Sequence, residues 1–144
     1  MSSNMEKSLE IKIVTPDKVV YDSFGVSEIT IPTMAGEVTI LPEHIPLIAP
    51  LKTGEVSFLK DGIRFGLAIS GGILEVRGEN KVVLLAERGE MAHEIDVGRA
   101  EDAYKRAEEV MKMEQNVLDV DFARFEGMIE KELNRINIGK KWRK

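Results

Sequence analysis

The amino-acid sequence predicts an α+β chain in two parts, an N-terminal antiparallel β-sandwich followed by a C-terminal two-helix antiparallel hairpin. Three observations carry this prediction. Up to about Ala92 the chain is a series of short β-branched runs punctuated by Gly, Pro, Asn and Asp, the texture of strands joined by tight turns. After Ile95 Gly and β-branched residues thin out, and Ala, Glu, Lys, Arg and Met take over. Two apolar stripes at three- and four-residue steps then follow, with a polar break between them. The expected division is a disordered tail over 1–8, a sandwich over 9–93, and a hairpin over 94–144 with helices at about 96–114 and 120–138 and a basic tail.

Each element has its own signal. Residues 9–14 alternate apolar and polar side chains in the manner of a half-buried strand, and Thr15-Pro16-Asp17-Lys18 reads as a turn. Further short strands are expected at 19–21, 26–31, 37–40, 56–59, 63–69, 73–77 and 81–86. Asp61-Gly62 suits a tight hairpin because both residues tolerate positive φ. Gly78-Glu79-Asn80 closes another hairpin, and Gly71-Gly72 reads as a turn or bulge. Three prolines in the apolar run Ile40–Leu51 exclude a helix and deny regular ladder donors, so an irregular segment is expected there. Two readings of it stand, a core-covering edge or crossover and a surface that docks on a partner.

In the second part, Val97, Ala100, Ala103, Tyr104, Ala107, Val110 and Met111 form one stripe, with Asp96 as the natural N-cap. The other stripe is Phe122, Phe125, Ile129, Leu133 and Ile136, and Gly139 stands where a helix is expected to end. Small alanines on one helix face bulky residues on the other. A hairpin of this size buries little apolar area against a backbone ordering cost of about 1–2 kcal/mol per residue, so marginal stability is expected.

Composition narrows the function. Over 144 residues the net charge is −5, and no basic face emerges to neutralise phosphates, which argues against a nucleic-acid partner. Lys140-Lys141-Trp142-Arg143-Lys144 is the one strongly basic run, and cations suit a helix C-terminus. There are no cysteines, which removes disulfides, thiolate metal sites and cysteine nucleophiles together. No window approaches the length of a spanning helix, so a cytosolic or peripheral protein with no direct membrane insertion is expected. His93-Glu94-Ile95-Asp96-Val97 begins like a zincin helix but has Val97 where a second histidine is needed. Gly139-Lys140 lacks the glycine and hydroxyl of a phosphate loop. No nucleophile, base and orienter can be nominated, so a free-standing enzyme is not expected.

Three stretches in order, GEVTILPEHIPLI (36–48), SGGILEV (70–76) and EIDVGRA (94–100), resemble the ε subunit family of bacterial F-type ATP synthases. The resemblance runs from about Leu9 to Lys141. It implies a non-catalytic central-stalk subunit at the cytoplasmic face of the inner membrane, seated with γ on the c-ring. It further implies coupling of rotation to the catalytic head of a proton-translocating enzyme, and inhibition of ATP hydrolysis by a mobile hairpin that extends toward the α and β subunits. Glu37 and His44 match positions at the c-ring and γ interface.

No cofactor is required, but some family members bind ATP as a regulatory ligand. Asp96, Arg99 and Ala100 match that motif, Glu90 its upstream acid and Arg135 one of its two arginines. Lys131 stands in the place of the other, keeping the charge and losing the forked donor. Arg124, Lys131 and Arg135 share one helical stripe, open to three readings: a solvated basic face, a phosphate site, or a contact for acidic surfaces of α and β. The rival from another class is an unrelated β-sandwich adaptor that presents a helical hairpin to some other partner.

Overall fold

The computed structural model describes residues 7–113 and 119–142. The expected tail up to Glu6, the polar break at Gln115 and Asn116, and Arg143 and Lys144 lie outside the described residues. The chain divides between Met91 and Ala92 into two compact units.

The first unit is a β-sandwich of seven strands: β1 (Leu9–Val14), β2 (Val19–Thr33), β3 (Gly36–Ile40), β4 (Leu47–Pro50), β5 (Gly54–Lys60), β6 (Ile63–Arg77) and β7 (Lys81–Met91). One layer runs from the start of β2 through β1, β7 and the end of β6 to β4. The other runs from β3 through the end of β2, β5 and the start of β6 to the end of β7. Strands β2, β6 and β7 thus pass through both layers. Every ladder is antiparallel except β1 with β7, which is parallel.

The alternation predicted for β1 is present, with Leu9, Ile11 and Ile13 buried and Glu10 and Lys12 exposed. Those side chains join Ile29, Ile31, Leu67, Leu74 and Leu84 in the core around Phe58, whose ring lies 4.6 Å from Tyr21 and 5.1 Å from Phe65. Asp61 (φ 52°) and Gly62 (φ 75°) both have positive φ and close β5 onto β6 through the expected two-residue turn. Asn80 at the β6–β7 turn does more than turn the chain. Its side-chain Oδ1 accepts from the Glu43 amide at 2.6 Å, which ties the 41–46 loop to the hairpin tip.

Two expectations need correction here. The runs 19–21 and 26–31 are one strand, and so are 63–69 and 73–77. Glycine marks a bend rather than an end in both: Gly25 (φ 80°) sits at a register shift against β1, and Gly71 (φ 68°) and Gly72 (φ 116°) carry β6 from one layer to the other. The proline-rich run is not wholly irregular either. Leu47–Pro50 forms β4, which pairs only with β6, and an edge strand tolerates proline because one side needs no donors.

In the second unit a single 3₁₀ turn at Ala92–Glu94 leads into helix α1 (Val97–Met113), and helix α2 spans Asp119–Trp142. Asp96 caps α1 as predicted: its Oδ1 accepts from the Arg99 amide at 3.0 Å, and its carbonyl accepts from the Ala100 amide at 3.0 Å. Val97, Ala100 and Ala107 are buried, as is Ile136. Phe122, Leu133 and Val110 of the predicted stripes are exposed.

Gly139 does not end α2, which continues through Lys140, Lys141 and Trp142. Its role is close approach: a Cβ there would stand 2.6 Å from Val97 Cγ2 and 3.1 Å from Ile95 Cγ2. The small-against-large packing expected of the α1 alanines is therefore joined, at the open end of the hairpin, by a small residue on α2 against β-branched residues before and within the first turn of α1.

Candidate functional site

The residues singled out in the second unit lie at the start of α1 and in the second half of α2. Asp96 Oδ2 lies 3.6 Å from Arg99 Nε in an exposed i,i+3 pair, so the cap and the cation beside it partly neutralise each other. Ala100 is fully buried and belongs to the packing of α1. Arg135 lies one turn before Gly139 and donates to Glu132 Oε2 at 2.8 Å, with both side chains largely withdrawn from solvent. Lys131 is a further turn away, half-buried, and makes no hydrogen bond or ion pair among the described residues. Arg124 alone of the basic stripe is well exposed. Lys131 and Arg135 are thus less exposed than Arg124. Glu90 belongs to the first unit, where it sits half-buried on β7 opposite Ala68.

The cap makes opposite predictions for two adjacent changes. Asp96→Ala should weaken α1 by about 1 kcal/mol through loss of the amide contact. Gly98→Ala should strengthen it by about 0.5–1 kcal/mol, because Gly98 is exposed and the added Cβ meets only Asp96 Oδ1, at 3.5 Å. Amide exchange over the first turn of α1 reads both, faster in the first variant and slower in the second.

In the sandwich, Glu37 and His44 are separated by most of β3. Glu37 is exposed on that strand opposite Pro32. His44 lies beyond its far end, where its Nδ1 is 2.7 Å from the Ile45 carbonyl. The loop around His44 turns through a left-handed Glu43 (φ 71°) and holds Leu41 and Ile45 out to solvent.

Strand register reveals a surface that no single segment announces. Val19 pairs with Val14, Val14 with Leu85, Leu85 with Ile73, and Ile73 with Pro50. Cross-strand partners share a face, so these five form one apolar row across all five strands of the first layer. Val19 (51% exposed), Leu85 (48%) and Ile73 (47%) face solvent, and Ile48 (74%) extends the row along β4. Contiguous exposed apolar strips are more common at interaction surfaces than elsewhere on a protein. At one end of it Glu75 Oε1 accepts from Arg77 Nε at 2.7 Å, which raises the Arg77 pKa above its ordinary value. The signal for this face was present in Val82-Val83-Leu84-Leu85, a continuous apolar run where a strand with one wet face alternates.

Among the described residues no three His, Asp or Glu side chains converge as a metal site, and no helix is long and apolar enough to cross a membrane.

A family model described as the ATP synthase Delta/Epsilon chain β-sandwich domain matches residues 8–92. The ATP synthase epsilon chain of Bacillus licheniformis is 40% identical over 134 residues, covering 93% of this chain and 99% of its own. The chain belongs to the ATP synthase epsilon family. The epsilon chains of Geotalea daltonii and Bacillus subtilis are each 40% identical, and cover 95% and 94% of this chain. The fold is shared more widely. A chain in the mitochondrial ATP synthase of Euglena gracilis superposes with a TM-score of 0.72 at 21% identity, over 94% of this chain and 82% of that one. One in the central stalk and c-ring of the Tetrahymena thermophila enzyme gives 0.57 at 16%, over 92% and 94%.

Proposed function

We propose that the chain is a non-catalytic central-stalk subunit of a proton-translocating F-type ATP synthase, which couples c-ring rotation to the catalytic head and restrains ATP hydrolysis through its C-terminal hairpin. Family membership supports the stalk assignment. The observation that carries the mechanical part is the contrast between the units: a core knit by three strands that pass through both layers, and a hairpin whose Phe122, Met128, Leu133, Val110 and Met113 stay exposed. A hairpin that leaves such side chains in water gains by moving them onto a partner, and a gap of a few kcal/mol can be tipped by whatever binds one state better.

In this reading the sandwich, residues 9–93, is the fixed part and docks on γ through the apolar row of its first layer. The Glu37 strand and His44 loop meet the c-ring, and the hairpin, residues 94–144, reaches the α and β subunits when it extends. The complex places the chain peripherally at the cytoplasmic face of the membrane. ATP is a regulatory ligand in this reading, and the residues that match the family's nucleotide motif are Glu90, Asp96, Arg99, Ala100, Lys131 and Arg135. Lys131 supplies charge without the arginine fork, which weakens the grip.

Cutting the chain after Ala92 should raise ATP hydrolysis by the assembled complex. An unchanged rate overturns the brake. Titrating the isolated full chain with ATP should slow amide exchange across α1 and α2, and unchanged protection at millimolar ATP rejects the nucleotide site while leaving the brake standing.

A further inference from the structure

β1 and β7 run side by side as far as Val14 and Leu85, and there they part. β1 turns away through Thr15 and Pro16 while β7 continues toward the other layer. The parting opens a cavity of about 370 Å³ at the edge of the apolar row, lined by Val14, Thr15, Pro16, Leu85, Ala86 and Glu87. Its walls are apolar apart from two side chains, and one of those is spent: the Thr15 hydroxyl donates to the Lys18 carbonyl and accepts from the Lys18 amide, both at 3.3 Å.

Glu87 is different. Its carboxylate makes no hydrogen bond or ion pair with any other described residue, whereas Glu75 and Arg77, farther along the same layer, neutralise each other. It lies folded over Gly71, where a Cβ would stand 2.6 Å from Oε2, so the missing side chain of Gly71 is what lets the acid rest at the rim. It follows Leu85 by two residues on β7, on the side of the strand that carries the row.

We infer that this cavity receives one apolar side chain of the stalk partner, and that Glu87 pairs with a lysine or arginine placed beside it on that partner. Charge complementarity selects the occupant. An apolar anchor alone leaves a carboxylate next to a closing apolar interface without a partner, which opposes docking, whereas an anchor flanked by a cation satisfies both. The cavity is open to solvent and wide enough to admit a leucine, methionine or phenylalanine side chain, and filled pockets in an interface are where binding energy concentrates. The inference rests on the docking face proposed above and adds the chemistry of what it recognises.

The test uses the full chain titrated onto ATP synthase complex stripped of this subunit, at low and high salt. Leu85→Ala should weaken binding by about tenfold, as truncating a buried anchor contact does. Glu87→Gln should weaken it about three- to tenfold at low salt and hardly at all at high salt, and Glu87→Lys should weaken it further. Both positions are exposed, and an unshifted thermal unfolding midpoint checks that folding is intact. Wild-type affinity for both Leu85→Ala and Glu87→Gln, with binding still lost in Ile48→Asp, overturns the pocket and spares the docking face. Wild-type affinity for all of them sinks the face as well. A free chain that self-associates, with Leu85→Ala making it monomeric, assigns the cavity to a second copy and overturns the inference too.

Discussion

Replacing Gly72 by alanine should cost the β-sandwich about 3–5 kcal/mol, whereas the same change at the neighbouring Gly71 should cost about 1 kcal/mol. The difference is a matter of what the new methyl meets. Gly72 has φ +116°, a region closed to side chains, and its Cβ would be driven into the Leu85 carbonyl oxygen and to 2.7 Å from Ala86 Cα. Both are backbone atoms of the paired strand β7, fixed by ladder bonds, so neither can swing aside. Backbone strain of about 1–3 kcal/mol and overpacking of similar size then add. At Gly71 the φ of +68° lies in the ordinary left-handed region, and the obstacle is the Glu87 carboxylate, the far end of a flexible side chain. A domain of this size has about 5–15 kcal/mol to lose in total. Thermal unfolding should therefore show Gly72→Ala melting roughly 12–40 °C below the parent and Gly71→Ala about 4–8 °C below, taking about 4–8 °C per kcal/mol. Equal melting temperatures for the two would show that β6 is not held against β7 in the way the register requires.

The same pair of glycines explains what was and was not legible in the sequence. Where the deciding interaction is local, the residues announce it. The alternation of Leu9, Ile11 and Ile13, the Asp61-Gly62 turn and the Asp96 cap are each settled within a few positions of chain, and each is present. A glycine pair between two apolar runs carries no such decision. It looks the same whether the chain turns back or bends and continues, and here the pairing of Leu74 with Leu84 and of Leu67 with Met91 makes β6 one strand through both layers. β4 is similar, since the three prolines speak against a ladder but cannot say that Leu47–Pro50 lies at an edge where one ladder is enough.

The candidate site divides along the same line. The cap formed by Asp96 with Arg99 was readable because it closes within one helical turn. The half-burial of Lys131 and Arg135 was not, because it is set by which face of α2 turns inward, and the aromatic stripe at Phe122 and Phe125 pointed elsewhere. The apolar row from Val19 to Pro50 draws its members from five strands far apart in sequence, and only strand register assembles it.

The second large effect is expected where Gly139 of α2 packs against Ile95 and Val97. In an exposed helix Gly→Ala stabilises by about 1 kcal/mol, so Gly139→Ala would strengthen α2 if propensity decided the outcome. Packing should decide instead. The added Cβ lies 2.6 Å from Val97 Cγ2 and 3.1 Å from Ile95 Cγ2, and β-branched side chains have little rotamer freedom with which to yield. Separating the backbones enough to admit the methyl forfeits contact along the buried end of a hairpin that has little burial elsewhere. We expect a net loss of about 1–2 kcal/mol in hairpin stability, read as amide exchange faster by roughly 5- to 30-fold from Ala100 to Ala107. Val97→Ala alone should also destabilise, through lost burial. The two changes together should cost less than their sum by about 1 kcal/mol, because removing Cγ2 makes room for the new methyl. That coupling separates close packing from a defect in helix formation, which would leave the two effects additive. If the brake proposed for this hairpin depends on its folded form giving way to an extended one, Gly139→Ala should also lower ATP hydrolysis by the assembled complex, and the Val97→Ala change should partly restore it.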